Sequence, residues 1–182
     1  MVVIVISGMP GCGSTTTGAL LAEKLGLKFF SAGNYTKQLA RDEEKIDGKE
    51  TERIVNFWDT LRGKSKDHHM SVEELQQKLV KEGDIIIESK LGIHFLKADF
   101  RVWLKAPKEI RALRYVKRDS ISLADAVSFL RKKEAAERDN WRRIYSFDYF
   151  DQEKEADIVI DTSDKTPEEI VEIIIKAIGN KK

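Results

Sequence analysis

The chain has 182 residues, 41% hydrophobic and 35% charged, which excludes a disordered, charge-dominated chain. Its 32 Lys plus Arg against 31 Asp plus Glu leave a formal net charge of +1, so no global attraction to nucleic acid or an anionic membrane exists. No apolar run approaches the roughly 20 residues of a membrane span, and one cysteine, Cys12, excludes an internal disulfide.

Residues 2–6 are a continuous β-branched run, which predicts a parallel strand buried on both faces. A glycine-rich loop follows, and residues 16–25 read as a helix stopped by Gly26. Residues 28–31 predict a short second strand ending at Ala32 and Gly33. Residues 34–69 turn polar and helical, with Tyr35, Leu39, Ile54, Phe57, Trp58 and Leu61 as sparse apolar anchors interrupted by Gly48 and Gly63. Ser71 with Glu74 reads as a capping box that opens a helix to Lys81, closed by Gly83. Residues 84–88 and 100–104 predict two more strands, the second followed by a helix that Pro107 starts and that runs to about Arg118. Residues 122–144 read as a long, highly charged helix. Residues 158–160 predict the last strand, and Thr166 with Glu169 caps a final amphipathic helix through Ile178.

Apolar strands alternating with helices predict an α/β fold with a mainly parallel sheet. The expected organisation is a single domain over 1–182, with a helical insertion at 34–70 and a lid helix region at 119–150.

Gly8, Met9, Pro10, Gly11, Cys12, Gly13, Ser14, Thr15 and Thr16 lie between a buried strand and a helix, the context in which such a loop cradles phosphate. Glycines let several backbone N–H groups turn toward one anion, and the helix adds the positive end of its dipole. Thr15 stands where a hydroxyl ligates the Mg²⁺ that bridges the β- and γ-phosphates of ATP. Ser14 stands where the pattern has a lysine, so the positive charge must come from elsewhere.

These pieces resemble the P-loop nucleoside monophosphate kinases, most closely the small archaeal cytidylate kinases. The matching segments are residues 6–13, 27–33, 85–88, 102–107 followed by Arg111 and Arg114, and 158–163, in that order and over nearly the whole chain. The resemblance implies a three-layer α/β/α P-loop fold with a five-stranded sheet, a helical monophosphate-binding region and a short Arg-bearing lid. It also implies phosphorylation of a nucleoside monophosphate by ATP with Mg²⁺, CMP or dCMP first. Ser14 departs from the family pattern, as do Lys37 and Lys90, which replace arginines and lack the bidentate fork.

For the monophosphate, Ser31, Gly33, Lys37 and Lys90 are the candidates, the two lysines falling just past the carboxyl ends of predicted strands, where ligands bind in parallel sheets. Arg131 and Arg138, seven apart on the long helix and so on one face, are the candidate catalytic cations together with Lys90. Aligning the lid from its other end puts Lys133 and Asn140 in those roles instead. Glu88, at a strand end, reads either as part of the Mg²⁺ shell or as a base contact, against a plain cap. Arg111 and Arg114 read as helix-surface ion pairs, although Arg114 and Arg118 share a face that can approach the base or the lid. His68, His69 and His94 lack metal-ligand spacing and read as solvated loop residues; Cys12 reads as a space-filler.

Two other classes of function remain open on the sequence: a nucleotide-binding switch or assembly factor with weak or lost kinase activity, and an adenylate kinase-like or small-metabolite kinase. The expected partners are small nucleotides, with no nucleic acid and no membrane. The expected location is cytoplasmic, and the expected assembly a monomer or small homo-oligomer.

Overall fold

The structure is a computed structural model and describes residues 1–42, 45–46, 56–57 and 59–181. Strand β1 (Val3–Gly8) leads through the glycine loop into helix α1 (Ser14–Leu25), then β2 (Lys28–Ser31) and α2 (Ala32–Asp42). A short helix α3 (Leu61–Lys64) precedes α4 (Lys66–Glu82), β3 (Ile85–Glu88), a single turn α5 (Gly92–Phe95) and β4 (Phe100–Lys105). Helices α6 (Lys108–Asp119) and α7 (Leu123–Tyr145) form a hairpin. A 3-10 segment (Tyr149–Glu155), β5 (Ile158–Asp161) and α8 (Pro167–Asn180) complete the chain.

The sheet has five strands in the order β2-β3-β1-β4-β5, all parallel. Its central strand explains the unbroken apolar run. Ile4 and Ile6 face Leu21 of α1 and Ile170 and Ile174 of α8, whereas Val3 and Val5 face Leu91, Ile93, Trp103 and Tyr149 on the other side. Both faces are covered, as a purely parallel sheet requires. Ala112 and Tyr115 of α6 meet Ala126 and Leu130 of α7 in a satellite core that sets the long helix across the sheet's carboxyl edge.

Several local expectations change. Ser71 does not open a helix: α4 starts six residues upstream of Val72 after Ser65, and Ser71 Oγ donates back to the His68 carbonyl at 2.8 Å. A hydroxyl inside a helix finds the preceding turn's carbonyl as readily as a cap finds a free N–H, so the capping pattern alone is ambiguous. At the last helix the same pattern does form a capping box, Thr166 with Glu169. Gly33 lies inside α2 rather than ending a strand, and α1 begins at Ser14, two residues before the expected start. Gly48, Ile54 and Trp58 lie outside the described residues. No helix among the described residues is long and apolar enough to cross a membrane.

Candidate active site

The loop between β1 and α1 is shaped by what its glycines permit. A Cβ on Gly8 would stand 2.3 Å from the Leu104 carbonyl oxygen and 2.7 Å from Cys12 Sγ, so no side chain fits there. Gly13 caps α1 at φ 92°, a left-handed conformation that other residues adopt only with strain. The first turn-closing bond runs from Thr17 N to Gly13 O at 2.9 Å, which leaves the amides of Ser14, Thr15 and Thr16 without helical partners.

The loop carbonyls are tied down from outside. Arg111 donates to Pro10 O at 3.0 Å, Arg114 to Gly11 O at 3.2 Å, and Thr162 Oγ1 to Cys12 O at 3.1 Å. In a trans peptide the carbonyl and the following N–H point in opposite directions. Anchoring the carbonyls of residues 10 and 12 therefore turns the Gly11 and Gly13 amides away from α6 and β5, toward the cavity. Arg111 is itself buried, bridging Ala106 O at 2.9 Å and Glu134 at 2.5 Å, and Arg114 also bonds Thr162 Oγ1 at 2.9 Å. These two arginines are braces of the loop rather than a helix-surface ion pair.

The cavity beside the loop has a volume of about 410 Å³. Its floor is residues 10–17. One wall comes from α2 and α4 with Thr36, Lys37, His68, His69, Glu73 and Gln76; the opposite wall has Arg114, Tyr115, Arg118, Lys165 and Pro167. Glu88, Ser89 and Lys90 enter from the end of β3, and Lys133, Glu137 and Trp141 of α7 close the roof. Residues from two sets of elements thus flank a phosphate-sized nest.

Of the candidates, Pro10 to Thr16, Gly33, Lys37 and Lys90 line this cavity. Gly8 and Met9 do not: Gly8 sits against β4, and Met9 packs with the cluster around Trp103 and Tyr149. Ser31 lies one layer behind, its hydroxyl donating to Glu88 Oε2 at 2.6 Å and accepting from Asn34 N at 3.1 Å. Ser14 Oγ donates to the other oxygen, Glu88 Oε1, at 2.8 Å. Glu88 is thus neither a helix cap nor a loose side chain but a buried acceptor joining α1 to β2. Lys90 Nζ donates to Gly8 O at 2.5 Å, and Lys37 Nζ to Asn34 Oδ1 at 3.1 Å.

The two lid arginines lie elsewhere in this arrangement. Arg131 borders a separate shallow hollow with Leu123 and Val127. Arg138 is held by Asp148, which also takes Arg142, and its guanidinium carbon stands 4.8 Å from the Phe150 ring centre. One helical face passes over the cavity, and it is the face of Lys133, Glu137 and Trp141. Lys133 is 3.8 Å from Glu137. Asn140, the other member of that alternative register, is buried and takes Arg143 at 2.9 Å.

His68 and His69 depart furthest from expectation. Both lie within α4 and are buried, and His69 Nε2 is 3.0 Å from Gly63 O. Burial pushes the His69 imidazole below its ordinary pKa, with the Arg143 charge adding to the shift. His94 is exposed and pairs with Glu155 at 2.9 Å. Burial also raises the Glu73 carboxyl and lifts the Tyr115 phenol to about 12, so that phenol stays protonated; the Arg118 guanidinium lies 4.6 Å from its ring centre. The Cys12 thiol is fully buried and raised by that burial, which leaves it an inert part of the core. Gln76, Trp141, Lys165 and Thr17 carried no signal as cavity residues in the sequence, since each sits at an ordinary helix or loop position. Thr17 Oγ1 and Gln76 Oε1 are buried and have no hydrogen-bond partner among the described residues.

Thr15 and Glu88 both line the cavity, and a hydroxyl and a carboxylate are oxygen donors of the kind that suits a hard cation such as Mg²⁺. Among the described residues no cluster of His, Cys, Asp or Glu forms a ready-made metal site.

The profile of the cytidylate kinase-like family matches residues 3–164. A cytidylate kinase of Methanocaldococcus jannaschii is 31% identical over 185 residues, covering 99% of both chains. One from Archaeoglobus fulgidus is 33% identical, covering 98% of this chain and 96% of its own, and one from Sulfolobus acidocaldarius is 35% identical over 98% and 94%. Among solved structures, shikimate kinase from Acinetobacter baumannii in complex with shikimate superposes with a TM-score of 0.63 at 17% identity, covering all of this chain and 95% of its own. That last likeness is one of fold.

Proposed function

The chain belongs to the cytidylate kinase-like family, and from that premise we propose that it phosphorylates CMP, and next dCMP, with ATP as donor. It is a nucleoside monophosphate kinase. The observation that carries the reading is the loop whose carbonyls at residues 10, 11 and 12 are tied outward, which leaves inward amides at the centre of a two-walled cavity.

The donor's polyphosphate lies along residues 10–16, with its base toward Tyr115, Arg118 and Lys165. The acceptor lies against α2 and α4, its phosphate toward Lys37. An oxygen of the acceptor phosphate forms a bond to the γ-phosphorus while the bond from that phosphorus to the β–γ bridging oxygen breaks. The products are ADP and a nucleoside diphosphate. That attacking oxygen is already ionised near neutral pH, so no side chain has to remove a proton. Catalysis is then positioning and charge stabilisation. Thr15 would hold Mg²⁺, which neutralises charge on the donor phosphates when bound.

A coupled assay with CMP, dCMP, UMP and AMP at saturating ATP and Mg²⁺ tests this. The expected order places CMP first; no turnover with any monophosphate rejects the reading. A thermal-shift panel with the same ligands gives an independent check, because a ligand of the native state raises its midpoint.

A further inference from the structure

Position 14, which carries the charge in an ordinary loop of this kind, contributes none here. Ser14 is buried and its hydroxyl is spent on Glu88 Oε1 at 2.8 Å. A transferring phosphoryl group still requires a cation over the loop. The other cations near the floor are committed. Arg111 bonds Pro10 O, Ala106 O and Glu134, and Arg114 bonds Gly11 O and Thr162, while Lys37 lies on the α2 wall beside Asn34.

Lys90 differs. In the sheet Ile6 is paired with Glu88, the last residue of β3, and Lys90 follows it by two residues. The Lys90 ammonium crosses to the first residue of the loop and donates to Gly8 O at 2.5 Å. The hydrogen bond of its ammonium goes to a neutral carbonyl, and the residue lines the cavity together with residues 10–17.

The backbone behind it is fixed on both sides. Ser89 N donates to Ile6 O at 3.1 Å and Ser7 Oγ donates to Ser89 O. Gln152, wholly buried, donates to Lys90 O at 2.7 Å. The four-carbon stem is therefore the adjustable part of a rigidly mounted cation.

Resting on the kinase reading, we infer that Lys90 takes over the work of the missing loop lysine: its ammonium binds the β- and γ-phosphoryl oxygens of ATP across the loop. The charge has moved from the start of α1 to the neighbouring strand end while still meeting the same nest. A bond to a neutral carbonyl is readily exchanged for stronger charge-assisted bonds to phosphate oxygens. Lys90 accordingly serves the donor, and Lys37 is left for the phosphate of the acceptor.

The test is steady-state kinetics on wild type, Lys90→Met, Lys90→Arg and the double variant Ser14→Lys/Lys90→Met, with thermal midpoints in the presence and absence of a non-hydrolysable ATP analogue and Mg²⁺. The expected result for Lys90→Met is a fall in kcat of roughly 10²–10³-fold, the scale for removing one charge-stabilising group. The KM for ATP rises with it, while the KM for CMP stays within about twofold. The analogue-induced midpoint rise shrinks, whereas the midpoint rise given by CMP does not. Lys90→Arg keeps most of the activity, and Ser14→Lys recovers at least tenfold of what Lys90→Met loses. A loss under tenfold, or a loss confined to the KM for CMP, overturns the assignment, as does a double variant no better than Lys90→Met. Should Lys90→Met not fold, failure of Lys90→Arg to retain activity at an unchanged ligand-free midpoint overturns it equally. Wild-type inactivity toward every monophosphate sinks the kinase reading instead, and the analogue-induced shifts then still decide whether Lys90 meets ATP.

Discussion

At the scale of single residues, Glu88 concentrates the most consequence. It accepts from Ser14 and Ser31 and is buried, so Glu88→Ala strands two hydroxyls in the interior. The expected cost is about 1–3 kcal/mol, read from urea unfolding, with the KM for ATP raised because the start of α1 loses its anchor. Glu88→Gln keeps an acceptor and should lose less. His69 gives a second expectation, set by pH. Its pKa is depressed by burial, so the unfolded chain takes up a proton below about pH 6.5 while the folded chain does not. Stability from this group is present above that pH and is lost as pH falls toward the folded value. Urea midpoints at pH 7.5 and 5.0 should therefore differ less in His69→Gln than in wild type. The sequence made Glu88 visible as a carboxylate at a strand end, but it gave no sign of His69's burial. Two adjacent histidines in a polar stretch look the same whether α4 meets solvent or other helices; what buries them is tertiary.

Among the elements, α6 does more than cover the sheet. It sends Arg111 and Arg114 across to the loop, so the rigidity of the phosphate nest depends on a helix that begins a hundred residues later in the chain. Arg111→Met leaves Glu134 and the Pro10 and Ala106 carbonyls without their donor. Breaking a buried pair from one side costs about 3–5 kcal/mol, so the urea midpoint should drop with an unchanged slope, and the midpoint rise given by ATP should shrink in parallel. An intact ATP response in a destabilised Arg111→Met would mean that the brace has no part in shaping the nest. The strands and most helices were legible because a buried parallel strand must be continuously apolar and an exposed helix must be amphipathic. The role of α6 was not. An arginine on a helix reads as a surface charge until the loop it reaches is placed next to it. The inward face of the lid helix was not legible for a similar reason: seven-residue spacing places Arg131 and Arg138 on one face, but packing of α6 against α7 decides which face lines the cavity, and that face carries Lys133 and Glu137.

Across the whole molecule, two aspartates tie the periphery to the sheet, and they set its response to acid. Asp148 holds Arg138 and Arg142 where α7 turns into the 3-10 segment. Asp157 accepts from Arg101 N at 2.7 Å and pairs with Lys181 at 2.8 Å, joining β4 to the end of α8. Burial alone would raise both carboxyls. In Asp148 the hydrogen bonds from Arg138, Phe150 N and Arg142 outweigh it, and in Asp157 those from Lys181 and Arg101 N do, so both lie below the ordinary carboxylate range. A depressed pKa means that the unfolded state binds the proton first. The stability these pairs provide is complete above about pH 4, the unfolded carboxyl value, and drains away as pH falls through the folded values. Urea midpoints followed from pH 7 to pH 2 should fall steeply in the wild type. In Asp148→Asn/Asp157→Asn they should start lower at pH 7 and fall less steeply, since the groups responsible for the slope are gone. Equal slopes in the two proteins would place the acid sensitivity in other carboxylates and reduce these two contacts to surface pairs of little weight.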